Sequence, residues 1–179
     1  MILKTERLLL RPWAESDSAD LFCYASDLRV GPSAGWPVHE SEQDSKDSIS
    51  GVLSTPETYA MVLWESNAAI GSIGLKMGDS TQLTQRSDEC ELGYWVGVPY
   101  WGRGFVMEAA RELLRHAFGN LGMNAVWCSS AEQNVQSQRV QEKLGFSFHH
   151  TREDVLVPLL GEYRNIRVTK LERPGAACG

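Results

Sequence analysis

An α/β fold with a mixed sheet flanked by helices is predicted by the order of strand-like and helix-like segments along the chain. That order is roughly βααβββαβαββ. Short turns at Asn67-Ala68 and at Gly161 join neighbouring strand-like segments, and such turns are typical of antiparallel hairpins. In the second half, strands alternate with helices, which favours parallel pairing there. The sheet is therefore expected to contain both kinds of pairing.

The first half of the chain is predicted to hold three strands and two helices. Apolar residues at helical spacing indicate the helices, and β-branched or aromatic runs bounded by turn residues indicate the strands. A loop that carries Trp36 separates the two helices. The predicted elements are a strand from Leu3 to Pro12, a helix from Ser16 or Asp17 to about Leu28, a loop from Gly31 to Pro37, a helical segment from Glu40 to Leu53, and strands from Tyr59 to Glu65 and from Ala69 to Met77.

The second half contains the most regular helix. Between Met107 and Leu121 the apolar residues recur on one stripe of a 3.6-residue period, which is typical of a helix that packs on a sheet. The remaining predicted elements are a polar loop from Gly78 to Ser87, strands from Glu89 to Val98 and from Asn124 to Ser130, a helix from Val135 to Leu144, a strand from Phe146 to Thr151, and a hairpin of Val155 to Leu160 with Tyr163 to Leu171.

Length and composition predict one domain. The chain has 179 residues, of which 42% are hydrophobic and 22% are charged, enough to bury a core. We expect a single domain over residues 1–172 and a flexible tail over residues 173–179. No apolar run approaches the roughly 20 residues that span a bilayer. Charged residues interrupt the first apolar stretch, unlike a signal peptide, so a cytoplasmic location is expected.

Charge and cysteine content exclude several classes of function. The net charge is −6 and no basic patch is visible, so nucleic acid is not an expected partner. A membrane is not an expected partner either, because the chain has no apolar run long enough to span one. The four cysteines form no C-x-x-C pair and have no histidine-rich segment beside them. No zinc site, other metal site or disulfide framework is therefore expected.

A glycine-bearing loop between a strand and the long helix predicts an anion-binding site. Gly102 and Gly104 lie directly before the helix, whose first N–H groups lack partners and carry partial positive charge. Glycine allows a tight turn and a close approach of a phosphate to the backbone. Gly104 is followed by Phe105 and Val106 rather than Lys-Ser/Thr, so it is not a Walker A loop. The third glycine of a dinucleotide fingerprint is also missing, because Met107 stands there.

Three blocks of the sequence together form a recognisable pattern. They are Thr5-Glu6-Arg7-Leu8-x-Leu10-Arg11 near the start, Gly93-Tyr94-Trp95 with Trp101-Gly102-Arg103-Gly104 and Glu108-Ala109 in the middle, and Asn134-x-x-Ser137 with Lys143-Leu144-Gly145-Phe146 later. This pattern resembles the GCN5-related N-acetyltransferases (GNAT), and specifically their RimJ/RimL-type branch. The resemblance covers the chain from about Leu3 to Leu171. The resemblance implies a mostly antiparallel sheet of six to seven strands in a three-layer sandwich.

The resemblance also implies acetyl-CoA as co-substrate and an amine as acceptor. In this family the strand of Tyr94 and Trp95 diverges from the strand of Trp127, and pantetheine lies in the gap. The resemblance implies that backbone groups of Trp95, Val96 and Val98 bond the pantetheine amides, as Asn134 does from the other side. It also implies that the pyrophosphate is bound by the N–H groups of Gly102, Arg103, Gly104, Phe105 and Val106, with the Arg103 side chain adding positive charge. Lys143 is expected to reach the adenosine phosphates. Asn134 is also a natural N-cap, and Lys143 alternatively a solvated lysine.

For catalysis the resemblance implies Glu91 as the base and Ser137 as the acid. Glu89 shares the parity of Glu91 on the strand, so it is an alternative base. An acceptor that arrives already deprotonated, and a Glu91 that is only a surface carboxylate, also remain open. Ser137 is alternatively a helix serine that bonds its own backbone. Gln141 stands where many members have an acidic tyrosine.

Val106 and Cys128 also bear on the expected mechanism. Val106 replaces the last glycine or alanine of the family loop and narrows the space beside the pyrophosphate. Cys128 lies on the strand beside the gap, but an acetyl-cysteine intermediate needs a nearby base, and none is visible in the sequence.

Three functions remain open at this stage. The first is acetylation of a protein N-terminal amine, such as that of a ribosomal protein, and the second is acetylation of a small amine, amino acid or antibiotic. The third is a non-catalytic acyl-CoA-binding module. A protein acceptor predicts an open groove and a small acceptor a closed pocket, formed by the loops of residues 30–46 and 78–88. Homodimers are common in the branch, so a homodimer is a further possibility.

Overall fold

A computed structural model describes residues 1–175, which form one eight-stranded sheet with helices on both faces. The strands are β1 (Leu3–Lys4), β2 (Leu8–Arg11), β3 (Thr58–Leu63), β4 (Ala69–Lys76), β5 (Glu89–Val96), β6 (Ala125–Ala131), β7 (Ser147–Val157) and β8 (Glu162–Glu172). The α-helices are α1 (Ser18–Ala25), α2 (Gly31–Ala34), α3 (Glu42–Ser50), α4 (Phe105–Gly119) and α5 (Val135–Lys143).

The strands follow the order β1-β2-β3-β4-β5-β6-β8-β7 across the sheet. Strands β5 and β6 pair in parallel, and the other six neighbouring pairs are antiparallel. The prediction of a mixed, mostly antiparallel sheet is therefore confirmed. The expected number of six to seven strands is wrong, because the sheet has eight strands when Leu3–Lys4 and Leu8–Arg11 are counted separately. The parallel pair arises because α4 crosses over between β5 and β6, whereas short turns join β1 to β2, β3 to β4 and β7 to β8 as antiparallel neighbours.

The strands differ from the predicted ones at both ends of the chain. The predicted first strand folds back on itself, because the Thr5 N–H donates to the Leu8 carbonyl (2.9 Å) and the Leu8 N–H to Thr5 Oγ1 (3.0 Å). Near the other end, the two predicted strands after residue 145 form one continuous β7, which bends at two irregular positions along β8. The predicted loop around Pro32 also contains the one-turn helix α2.

Two apolar clusters lie on opposite faces of the sheet. Helix α4 packs through its buried stripe, which includes Ala110, Leu113 and Ala117, onto one face of β4, β5 and β6. The second cluster lies under α1 and α3, and Trp13 and Leu21 belong to it. Burial of a large apolar side chain contributes about 1.5–3 kcal/mol, so both clusters hold their helices to the sheet. The result is the expected three-layer arrangement.

The end of the described chain is anchored to α4 and to the turn before β6. The Arg173 N–H donates to the Asn124 carbonyl (2.8 Å), and its guanidinium donates to the Phe118 carbonyl. Residues 176–179 of the predicted tail lie outside the described residues. Between residues 1 and 175, no helix is both long and apolar enough to cross a bilayer.

Candidate active site

Strands β5 and β6 separate halfway along their length. They pair from Glu89 opposite Ala125 to Leu92 opposite Cys128, and the pairing ends there. Beyond that point β5 continues on β4 as far as Val96, while β6 continues on β8 as far as Ala131. The sheet therefore has an opening whose edges are backbone groups, which suits an extended ligand that bonds like a strand.

A cavity of about 610 Å³ occupies this opening. All of the predicted site residues line it except Val98 and Arg103. Val98 instead lies in a 3₁₀ turn, Val98–Tyr100, after β5 has ended. The cavity reaches both faces of the sheet, because Ser137 and Val106 belong to the α4 and α5 side while Glu91 and Trp95 point to the opposite side. The fold thus brings most of the predicted residues together around one space.

The glycine loop lies at one end of this cavity with both glycines in the left-handed region. Gly102 has φ +70° and Gly104 has φ +81°, conformations that side chains with a Cβ adopt at a cost. Gly104 is the N-cap of α4, and its carbonyl accepts the first helical bond, from the Glu108 N–H (3.0 Å). The N–H groups of Phe105, Val106 and Met107 precede that bond and have no partner within the helix. All three residues line the cavity, and unpartnered N–H groups at a helix N-terminus are suited to bind an anion.

The loop is held in place by the turn between β1 and β2. The Arg7 side chain donates to the Arg103 carbonyl (3.2 Å) and to Glu108 Oε2 (2.7 Å). Glu108 Oε1 also accepts from the Arg7 N–H (2.7 Å) and from Thr5 Oγ1 (2.5 Å). Burial of Glu108 opposes its ionisation, but these donors outweigh that effect and hold its pKa below the ordinary range. The Thr5-Glu6-Arg7 block of the sequence therefore supports the loop without lining the opening between the strands.

The Arg103 side chain does not line the cavity, although the two rings that it contacts do. Its guanidinium lies over the rings of Phe105 (5.2 Å to the centroid) and Tyr100 (5.7 Å). It is a cation beside the loop, and a contact with the phosphates stays a prediction.

On the other side of the opening, α5 begins with a capped turn. Asn134 Oδ1 accepts from the Ser137 N–H (3.1 Å), so Asn134 acts as the N-cap of α5 while it also lines the cavity. Ser137 Oγ lies 2.9 Å from the Tyr94 hydroxyl and accepts from Gln141 Nε2 (3.2 Å). The Ser137 hydroxyl is thus oriented by two side chains and does not bond its own helix backbone.

Tyr94 is a site residue that the sequence analysis missed. It lines the cavity, and its hydroxyl also lies 3.2 Å from the Ser137 carbonyl. Burial raises the pKa of Tyr94, so the phenol keeps its proton at neutral pH. Gln141 is fully buried and its Oε1 accepts from Thr169 Oγ1 (2.8 Å). The phenol near Ser137 therefore comes from Tyr94 of β5, because the α5 position at which many family members have a tyrosine holds Gln141.

Glu91 is a nearly buried carboxylate at the cavity wall on the Trp95 side. Its residue exposure is 8%. Oε2 accepts from Thr81 Oγ1 (2.9 Å), and Oε1 accepts from Lys76 Nζ (3.2 Å). The Thr81 hydroxyl fixes the carboxylate, and the Lys76 ammonium balances its charge.

Glu89 is held in a different environment although it has the same parity on β5. Its Oε2 accepts from Trp127 Nε1 (2.6 Å) and Thr84 Oγ1 (2.7 Å), and Lys170 Nζ lies 3.4 Å from Oε1. Burial favours the neutral form, but these donors and the lysine hold the pKa of Glu89 below its usual range. Glu89 does not line the cavity. Of the two carboxylates, only Glu91 is placed to meet a ligand.

Cys128 is buried where β5 and β6 separate. Burial raises the pKa of its thiol to about 12, so the thiol is protonated at neutral pH. This environment gives no support to an acetyl-cysteine intermediate, because the thiolate is the nucleophilic form. Among residues 1–175, no three histidine, cysteine, aspartate or glutamate side chains are grouped so that they could hold a metal ion.

Comparison with known proteins identifies this architecture. The family described as "Acetyltransferase (GNAT) domain" matches residues 7–147. The N-acetyltransferase p20 of Bacillus licheniformis is 28% identical over 150 residues, which cover 80% of this chain and 81% of that protein. The "Putative ribosomal N-acetyltransferase YdaF" of Bacillus subtilis is 36% identical over 64 residues, 36% of this chain and 35% of that protein. A GNAT-family acetyltransferase structure from Bacillus anthracis superposes with a TM-score of 0.84 at 21% identity, covering 97% of this chain and 99% of that one.

Proposed function

The chain belongs to the GNAT acetyltransferase family and is an acetyl-CoA-dependent N-acetyltransferase, and from this we propose that its acceptor is the N-terminal amine of a protein. The observation that carries this proposal is the open mouth of the cavity on the Trp95 side. Ser33 and Ala34 of α2 line the cavity and are themselves exposed, and the Lys76 side chain, which also lines the cavity, is exposed as well. An amine at the end of a large molecule can enter such a mouth while the rest of that molecule stays outside. The name of YdaF, a sequence relative, is consistent with this acceptor class.

In this proposal acetyl-CoA lies in the opening between β5 and β6. The pantetheine amides bond the backbone edge from Gly93 to Val96 that β6 leaves unpaired, where the Val96 carbonyl already accepts from Trp101 Nε1 (2.8 Å). Asn134 lies on the other side of the arm. The pyrophosphate lies on the N–H groups of the Gly102–Val106 loop, where the helix dipole favours negative charge. Lys143 borders the same cavity at the end of α5 and supplies a cation for the adenosine phosphates.

Transfer then proceeds directly within the ternary complex. Glu91 takes one proton from the acceptor ammonium, directly or through a water molecule, and the neutral nitrogen attacks the thioester carbonyl carbon. Backbone N–H groups of β5 stabilise the oxyanion of the tetrahedral intermediate. The nitrogen of the intermediate loses its second proton to water, the C–S bond then breaks as the carbonyl re-forms, and the coenzyme leaves as the thiolate. Ser137 Oγ–H donates to that thiolate, and the Tyr94 hydroxyl behind it supplies the next proton.

The Ser137→Ala variant tests the role of the hydroxyl. Loss of a hydrogen bond to a charged atom reduces a rate by about 10- to 100-fold, so kcat should fall by about that factor. The Kd of acetyl-CoA should stay within about twofold, because the bond forms only as the thiolate develops. Both values are measured by thiol release and by calorimetric titration.

Ser50→Ala is the matched control for this variant. Ser50 is also a helix serine, its Oγ donates to the Asp47 carbonyl (3.1 Å), and it lies outside the cavity. Its kcat should equal that of the wild-type enzyme. Equal kcat values for the Ser137 variant and the wild type would remove Ser137 from the mechanism.

The acceptor is tested by a thiol-release screen with two sets of amines. One set contains short peptides with free N-terminal serine or alanine, and the other contains polyamines, amino acids and aminoglycosides. Release with the peptides alone is the expected result. Release with small amines alone would contradict the proposed acceptor, and coenzyme binding without release on any amine would favour an acyl-CoA-binding module.

A further inference from the structure

We propose that Lys76 occupies the position of the acceptor ammonium on Glu91 and is displaced when the acceptor enters. The enzyme would then carry an internal competitor for cationic acceptors, and Lys76 would determine how tightly they bind. The inference rests on the proposed function, because it takes Glu91 as the group that receives the acceptor.

The pairing of β4 with β5 places the two side chains together. Lys76 and Glu91 are opposite each other in the antiparallel register, and both line the cavity. Lys76 Nζ lies 3.2 Å from Glu91 Oε1. The glutamate side chain is 10% exposed and the lysine side chain 54% exposed. The carboxylate is therefore fixed in the wall, whereas the ammonium stands on the open side of it.

Gly93 shows where the lysine lies. A Cβ built on Gly93 would be 3.9 Å from Lys76 Cε. Gly93 lies on the same face of β5 as Glu91 and Trp95, since residues two apart share a face. The stem of the lysine thus lies along the cavity wall over Gly93, and its exposed ammonium contacts Glu91 from the solvent side.

The hydrogen bonds of Glu91 leave one oxygen for exchange. Thr81 Oγ1 donates to Oε2 and is itself buried, so that bond holds the carboxylate in place. The described residues give Oε1 one partner, the Lys76 ammonium. An N-terminal amine has an ordinary pKa of about 7.7–8.0 and arrives mostly as an ammonium of the same charge. The two cations compete for Oε1, and Lys76 keeps its proton when it moves out.

Displacement of Lys76 carries a modest cost. Ion pairs between exposed side chains change an equilibrium by about 1.5- to 5-fold, and this pair, whose lysine is exposed but whose glutamate is nearly buried, belongs at the upper end of that range. When Lys76 occupies Glu91 for part of the time, the apparent affinity for the acceptor falls in proportion to the fraction of enzyme in which Glu91 is available. The internal lysine should therefore raise the acceptor KM by a factor in this range while leaving the chemical step unchanged.

The test is Lys76→Met, assayed with a peptide that has a free N-terminal serine. We expect the peptide KM to fall by about two- to fivefold, with kcat and the acetyl-CoA KM within about 1.5-fold of wild type. Lys76→Arg should restore the wild-type peptide KM, because it keeps the cation. Lys46→Met is the matched control, because Lys46 pairs with Glu42 on α3 (3.7 Å) outside the cavity.

The Nα-acetylated peptide distinguishes competition between two cations from an effect of the altered side-chain volume at position 76. It has the same sequence without the ammonium, so its inhibition constant against the free peptide should be the same in Lys76→Met and wild type. An unchanged or higher KM for the free peptide, or a parallel fall in the inhibition constant of the acetylated peptide, would overturn the inference. Absence of turnover by the wild-type enzyme would instead contradict the proposed function itself.

Discussion

Replacement of Gly104 by valine is expected to weaken acetyl-CoA binding by about 100-fold or more. A β-branched residue at φ +81° is strained by about 1–3 kcal/mol, and relief of that strain requires the N-cap of α4 to move. The N–H groups of Phe105 and Val106 would then no longer converge on the phosphates, so the loss of binding adds to the strain. Calorimetric titration of the variant with acetyl-CoA measures the effect.

Gly122→Val is the matched control for this change. Gly122 has φ +71° in the turn between α4 and β6, where nothing lies within 4 Å of an added Cβ, and it is outside the cavity. Comparable strain should lower its thermal midpoint while its affinity for acetyl-CoA stays within about twofold of wild type. Wild-type affinity in the Gly104 variant would contradict the assignment of the phosphates to this loop.

Replacement of Glu91 by glutamine is expected to lower kcat by about 10²- to 10⁴-fold, the usual contribution of a general base. The amide has nearly the same shape and still accepts from Thr81, but it cannot take a proton from the acceptor. The affinity for acetyl-CoA should be unchanged, because the coenzyme lies along the backbone edge of β5. Steady-state kinetics with the best peptide of the screen measure kcat, and calorimetry measures the affinity.

Glu89→Gln is the matched control for Glu91→Gln, because Glu89 is a carboxylate on the same strand outside the cavity. Glu89 has the same parity on β5 but is bonded by Trp127 and Thr84 away from the cavity. Its replacement should lower the thermal midpoint and leave kcat of the folded enzyme within about twofold. A Glu91→Gln enzyme with the wild-type rate would mean that the acceptor arrives already deprotonated.

Much of the fold follows from local patterns in the sequence. The apolar stripe of α4 and the glycines before it predict a helix that begins close to its observed start at Phe105, because both depend on neighbouring residues. The turn between β1 and β2 depends on a hydrogen bond from the Leu8 N–H to the Thr5 side chain, which the alternation of apolar and polar residues does not reveal. The continuous β7 likewise depends on its pairing with β8, which lies later in the chain.

The candidate site divides in the same way. Strand parity places Glu91 and Trp95 on one face, and the structure has them at one cavity. Parity places Glu89 on the same face as well. Only its hydrogen bond with Trp127, 38 residues away in the sequence, shows that the Glu89 carboxylate is bound to the protein outside the cavity. The contacts of Tyr94 with Ser137 and of Lys76 with Glu91 join different elements. Such contacts require the three-dimensional arrangement, so the proton donor behind Ser137 and the competing lysine were not predictable from spacing.

Calorimetric titration of the wild-type protein with acetyl-CoA is the most direct test of the site between β5 and β6. We expect one molecule bound per chain with a Kd between about 1 μM and 1 mM, the usual range for enzyme substrates. Binding should be lost in Gly104→Val and kept in Gly122→Val. Absence of binding to the wild-type protein would contradict the assignment of this opening to the coenzyme, and equal binding by both variants would contradict the role of the glycine loop.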